Sequence, residues 1–263
     1  MFTSVVLAGE RAGVNEFGAQ FGVAAKVLVP VAGVASLTRV LNSLRASAHV
    51  SGGIVAGPAE DVANSDATCR ALFEPGDFCW MAPAHGPAAS ALAATNMLGE
   101  YPILLTSGDH ALLTPAIIDE FCAEAARSEY DLVVGLVAHD LVEAAYPGIK
   151  RTVHRFSDGH YCGSNLYALT NPRACEGLRF WQHIESLRKS PRKIIGRMGF
   201  LTLARYVLGG LNIDAAFKAL SKRAGCRVGF VRVAHARAAV DVDSVADWRL
   251  AESILGDAEA VTG

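Results

Sequence analysis

Ser4-Val5-Val6-Leu7-Ala8-Gly9, near the start of the chain, and Lys26-Val27-Leu28-Val29-Pro30-Val31-Ala32-Gly33, one loop later, are the stretches on which the reading of the fold turns. Ser4 to Leu7 has the length and apolar character of a buried strand, and it stops at a small residue and a glycine, which marks entry into a turn. Backbone amides in a glycine-containing turn after a strand can cradle phosphate oxygens, and a cation folded over them neutralises a polyphosphate. Gly9 and Gly13 supply the glycines here, and Arg11 and Lys26 the cations. Neither Gly-x-Gly-x-x-Gly nor a Walker sequence is present. On glycine spacing alone, a plain strand-to-loop turn stays equally open.

Outward from this start, short apolar runs alternate with helical patterns. Leu37 to Ala46 reads as a helix with Leu37, Val40, Leu41 and Leu44 on one side, and Gly53 to Ala56 as the next strand. Gly86-Pro87 introduces a small-residue helix over Ala88 to Leu98, and Pro102 to Thr106 is a strand ending at Ser107-Gly108-Asp109. Thr114-Pro115 then opens a helix over Ala116 to Ser128, with threonine as N-cap and proline at the first helical position, before a strand at Asp131 to Val137. Such alternation predicts an α/β fold, a mostly parallel sheet with helices on both faces. Ligands in open α/β sheets collect beyond the carboxyl ends of the strands, so the loops carrying Gly9 and Asp109 are expected to share one crevice. From Leu178 to Gly225 helices take over, Val228 to Val233 returns to strand, and Val245 to Leu255 forms the last helix. Residues 178–225 therefore read as a helical insertion or subdomain within a single 1–263 domain.

Composition narrows the function classes. Of 263 residues, 51% are apolar and 19% charged, ample for a substantial core. With 24 basic and 26 acidic residues the formal charge is -2, so no global field recruits nucleic acid and any anion site must be local. The six cysteines include no Cys-x-x-Cys pair, which speaks against a zinc ribbon or a redox motif. The N-terminus lacks a basic region and its apolar run is too short for a signal peptide or a span, which makes a cytoplasmic enzyme the expectation.

Taken together, Leu7-Ala8-Gly9, Arg11, Lys26-Val27-Leu28-Val29-Pro30 and Gly33, leading into the helix at Leu37, resemble the start of the MobA-like nucleotidyltransferases. That group includes the molybdopterin guanylyltransferases and is similar to the cytidylyltransferases of isoprenoid and sugar-acid synthesis. Its pattern is Leu-Ala-Gly, a short glycine-and-arginine loop, then Lys-x-Leu-x-Pro-x-x-Gly. Glu10 stands where the family usually has a second glycine, and the loop from Gly9 to Lys26 is longer than usual. Because a carboxylate repels a triphosphate, Glu10 is expected to point outward. The resemblance covers roughly residues 4 to 170 and 228 to 255. It implies a three-layer α/β/α, Rossmann-like (GT-A-type) mixed sheet, and transfer of a nucleoside monophosphate from a nucleoside triphosphate to a small phosphorylated acceptor.

Nucleotidyl transfer calls for a metal bridging triphosphate oxygens, and Mg2+ is usually held by one or two carboxylates with phosphates and waters completing its shell. Asp109 is the first candidate ligand, resembling the family aspartate that ends the central strand before Thr-Pro. Asp243 is the second, in Asp241-Val242-Asp243-Ser244-Val245-Ala246-Asp247, which looks like the family's Asp-Thr-Pro-Glu-Asp-Leu ending. Asp241 is held in reserve. The bland alternative is that Ser244 caps the last helix, Asp247 complements its dipole, and Asp241 and Asp243 are solvated loop acids.

Gly86, Pro87 and Ser90 resemble the Gly-Pro loop that contacts the nucleotide, and they are equally the start of an ordinary helix. On the acceptor side, Gly163 and Asn165 resemble a Gly-x-Asn segment, although an asparagine in a turn leading into a strand is also routine. Arg151, with Lys150 and Arg155, is placed to meet an acceptor phosphate or to form a solvated basic face. His110, beside Asp109, reads as structural.

Between Glu185 and Asp214, Arg188, Lys189, Arg192, Lys193, Arg197 and Arg205 are interleaved with apolar positions and no acid. Core packing under a solvated rim, contact with an anionic membrane surface, and a site for a partly hydrophobic acceptor all remain open there. Two other activities compete: a GT-A glycosyltransferase using a sugar nucleotide, which typically has Asp-x-Asp where this chain has Asp109-His110-Ala111, and a non-catalytic nucleotide-binding protein. These residues specify neither the base, nor the acceptor, nor the oligomeric state.

Overall fold

The computed structural model describes residues 1–10, 16–186 and 200–262. Ten strands are described: β1 Phe2–Leu7, β2 Pro30–Val31, β3 Val34–Ala35, β4 Val50–Ala56, β5 Phe78–Met81, β6 Ile103–Ser107, β7 Leu132–Ala138, β8 His154–Phe156, β9 Gly159–Leu169 and β10 Val228–Arg232. Eight form one sheet in the order β10-β7-β9-β6-β1-β4-β5, with β8 paired to β9; β2 and β3 make a separate two-stranded ribbon. β1 pairs in parallel with both β4 and β6, whereas β9 runs antiparallel to β6 and β7, so the sheet is mixed and mainly parallel.

Pleating sends successive side chains to opposite faces, and β1 shows it: Val6 joins one apolar cluster and Val5 the other, both fully buried. On the Val6 face lie the helices Ser36–Arg45 and Pro115–Arg127, contributing Leu37, Leu41, Ile117 and Phe121. On the Val5 face lie Pro87–Leu98, Ala174–Ser186 and Ile213–Ala224. Ala88, Ala91 and Ala94 are fully buried, and their small side chains let Pro87–Leu98 lie close against β1 and β4.

The expected elements fall into place with ends shifted by a few residues. Thr114 caps its helix by accepting the Ile117 amide (3.4 Å), with Pro115 following. The helical run begins earlier than the periodicity indicates, at Ala174, and its described parts are Ala174–Ser186, Phe200–Val207 and Ile213–Ala224. The last helix extends to Thr262. The basic positions 188, 189, 192, 193 and 197 lie outside the described residues, as does Arg11. No helix among the described residues is long and apolar enough to cross a membrane.

Candidate active site

Three chain segments meet beyond the carboxyl ends of β1 and β6. The first runs from Leu7 and Ala8 at the end of β1 into Gly9. A Cβ on Gly9 would stand 2.7 Å from the Cβ of Pro83, closer than carbon atoms approach, so glycine lets this loop pack on residues 82–86. That second loop ends at Gly86, whose φ of 108° suits glycine, and Pro87 starts the helix. The Ser90 hydroxyl is turned into this loop, accepting the Ala84 amide at 2.9 Å. It therefore braces the loop, and its own proton stays available to another acceptor.

The third segment is the turn after β6. The Gly108 amide donates to the Leu7 carbonyl (2.8 Å), tying the turn to β1, and the Val242 amide donates to the Asp109 carbonyl (3.0 Å), tying it to the segment before the last helix. His110 is completely buried beneath, and burial pushes its imidazole down to about 4, leaving a neutral ring that serves as packing.

Lys26 begins a short turn of 3-10 helix, Lys26–Leu28, anchored by buried Val27 and Leu28. From there its ammonium donates to Asp109 Oδ2 at 2.5 Å and to Asp243 Oδ1. Since both carboxylates share one ammonium, their bonded oxygens lie within about 5 Å of each other, twice a short hydrogen bond. Burial alone would raise the Asp109 pKa, but Lys26 outweighs it and holds the carboxyl below its usual range. Burial would likewise lower Lys26; Asp109 and Asp243 reverse that and hold it charged.

Glu10 is exposed, and its carboxylate accepts the Lys26 backbone amide. Ala25, at the N-cap of that turn, makes no side-chain capping bond, so the amide is free and a nearby carboxylate satisfies it.

Arg151 and Asn165 both reach Asp241. Arg151 is no solvated cation: its side chain is 11% exposed and it donates to the Asp241 carboxylate, to the Asp241 carbonyl (3.1 Å) and to Asp247 Oδ1 (2.8 Å). Asn165 lies within β9, not in a turn before it, at a register break opposite Gly135 and with φ 52°, a conformation asparagine tolerates. The break turns its amide to Asp241 Oδ2 (3.0 Å). Gly163, two residues earlier, is exposed with open space around it. Asp241 thus gathers both Arg151 and Asn165. Burial raises its pKa, and Asp109 and Asp243 raise it further against the pull of Arg151. The Asp-Val-Asp pattern signalled an acid here, but nothing local shows that Arg151 and Asn165 serve it. Ser244 caps the last helix by accepting the Asp247 amide (3.3 Å), so that part of the bland reading coexists with the carboxylate pair.

Two hard oxygen ligands suit Mg2+. Two observations match that donor set: a cation, the Lys26 ammonium, already joins both carboxylates, and the second oxygen of Asp109 is buried and accepts no hydrogen bond of normal geometry, with Ser107 alongside. No cluster of three His, Cys, Asp or Glu side chains suited to a metal occurs among the described residues, so phosphates and waters would have to complete its shell.

Residues 4–179, which hold the loop of Gly9, Lys26 and Asp109, match the family model of the MobA-like NTP transferase domain. The chain belongs to this family. Solved structures extend the likeness over the rest of this MobA-like protein. A hypothetical transferase from Thermus thermophilus is 24% identical with a TM-score of 0.76, covering 94% of this chain and 99% of the other. The 4-diphosphocytidyl-2C-methyl-D-erythritol synthase of Anaerococcus prevotii is 10% identical at a TM-score of 0.57, with 97% and 96% covered. A CMP:2-keto-3-deoxy-manno-octonic acid synthetase, solved with CTP, is 12% identical at 0.62, with 98% and 99% covered. At these identities they establish a shared fold. Comparison with curated proteins finds no match.

Proposed function

We propose that this MobA-like protein transfers a nucleoside monophosphate from a nucleoside triphosphate to a small phosphorylated acceptor in the cytoplasm, with pyrophosphate released and Mg2+ required. The observation that carries this reading is the convergence of Lys26, Asp109 and Asp243 at the carboxyl ends of β1 and β6, beside the glycine loop. Asp109 and Asp243 would hold the metal, which supplies charge neutralisation on the phosphates. Leu7, Ala8, Gly9 and the Gly86-Pro87 loop would border the nucleotide, with Arg11 and Lys26 meeting its phosphates. An acceptor phosphate oxygen attacks the α-phosphorus in line and pyrophosphate leaves; an ionised phosphate needs no general base. The chain's contribution is positioning and charge stabilisation. Arg151 and Asn165 act by fixing Asp241, and Gly163 leaves room for the acceptor.

The test measures pyrophosphate release from each of the four triphosphates with Mg2+ and a panel of phosphorylated acceptors. Release with one triphosphate and one acceptor class is expected. Nucleoside diphosphate released from a sugar nucleotide would instead show glycosyl transfer, and tight nucleotide binding without turnover a non-catalytic role.

A further inference from the structure

We propose that Lys26 holds the place of the divalent cation in the unliganded protein, and that it leaves the aspartates only when metal and triphosphate arrive together. The inference rests on the nucleotidyltransferase reading above and adds to it an obligatory partnership: the entering ligand is the metal–triphosphate complex, not the free ion.

The crevice concentrates acid. Asp109, Asp241 and Asp243 lie close enough to influence one another, and Arg151 already answers Asp241. The remaining pair, Asp109 and Asp243, is answered by the Lys26 ammonium, with side-chain exposures of 15% for Asp109, 27% for Lys26 and 57% for Asp243. A divalent ion arriving alone would have to displace a monovalent one that is already hydrogen-bonded to both carboxylates. While the ammonium stays, the ion meets a like charge a few ångströms away beside the largely buried Asp109, where solvent screens the repulsion only in part. An ammonium pushed out alone would lose two charge-assisted bonds without gaining an anion.

A triphosphate changes that balance because it brings the anions. Lys26 is built to switch between partners: Val27 and Leu28 are buried and pin its backbone, while its four-carbon stem is free to swing a point charge from the carboxylates toward the Gly9 loop. Phosphate oxygens would take the lysine as the metal takes the aspartates, and each exchange makes the other favourable. By linkage, metal and nucleotide then bind with positive coupling that Lys26 carries.

Binding of Mn2+ measured by electron paramagnetic resonance, with and without the α,β-methylene analogues of the four triphosphates, tests this without requiring turnover. For the natural protein, Mn2+ affinity should be at least tenfold weaker without an analogue than with the one that binds. In Lys26→Met, Mn2+ alone should bind at least tenfold more tightly than to the natural protein, and the benefit from the analogue should largely vanish. Lys26→Gln, which keeps a donor for the carboxylates and removes the charge, carries the same expectation and serves if the methionine variant does not fold. Equal Mn2+ affinity in natural and variant proteins, with analogue-dependent binding intact, would overturn the place-holder role while leaving the metal site standing. Absence of Mn2+ binding to every form, analogue included, would overturn the metal assignment itself and this inference with it.

Discussion

Replacing Arg151 with methionine tests whether its ion pairs hold Asp241 in place. The guanidinium donates to the Asp241 carboxylate, to the Asp241 carbonyl at 3.1 Å and to Asp247 at 2.8 Å, with only 11% of its side chain exposed. Without it, Asp241 keeps the Asn165 amide at 3.0 Å and faces Asp109 and Asp243. Removing one partner of a buried ion pair costs about 3–5 kcal/mol. With Asp241 25% exposed, water recovers part of this, so the lower end applies. For a chain of this length each kcal/mol lowers the melting temperature by about 2–4 °C, giving a fall of roughly 6–12 °C near neutral pH.

The pH dependence has a definite sign. The Asp241 carboxyl is already raised above its ordinary 3.8 by burial and by its acidic neighbours, and loss of Arg151 lifts it further. An acid that holds its proton more tightly when folded makes the protein less stable as pH rises from the unfolded value through the folded one. The deficit of Arg151→Met should therefore be largest at pH 8 and shrink as pH falls toward that window. Asp241→Asn, combined with Arg151→Met, should restore part of the stability, because a neutral amide does not need the cation. Thermal unfolding by circular dichroism at pH 8 and pH 5 reads all three. A deficit under about 2 °C, equivalent to less than one kcal/mol, or a double variant no more stable than the single one, would refute the reasoning.

Three further substitutions address the rest of the crevice. Asp109→Asn should lower metal-dependent turnover at least about 100-fold, the scale of losing one strong electrostatic contact to a transition state, with the far-ultraviolet spectrum unchanged; full activity would remove the metal assignment. Gly9→Ala puts a Cβ 2.7 Å from that of Pro83, so it should cost about 1–3 kcal/mol of overpacking strain and weaken nucleotide binding by separating the two loops, both read by melting with and without nucleotide. Glu10→Gln keeps an acceptor for the Lys26 amide while removing a negative charge from the phosphate approach, and should tighten triphosphate binding up to about tenfold, which corresponds to 1.4 kcal/mol; unchanged or weaker binding in calorimetry would show that the carboxylate does not oppose the nucleotide.

The architecture was legible because its signals are local. β1, β6 and β7 are apolar runs of strand length, and Thr114-Pro115 announces a helix by its own chemistry. The small strand β8 and the two-stranded ribbon escaped, since two or three residues carry too little periodicity to be seen. Likewise the break in β9 that turns Asn165 toward Asp241 depends on pairing with β7, which no window of β9 alone encodes.

Residue types and spacing were enough to select the family and to name the residues around the ends of β1 and β6, because strand ends and motif residues are properties of short segments. How those groups are spent is set by approach in space: Lys26 joins acids 83 and 217 positions away, Arg151 answers one 90 positions away, and Glu10 takes an amide 16 positions on. Charges choose partners by distance and by exclusion from water, and neither quantity exists until the layers have packed.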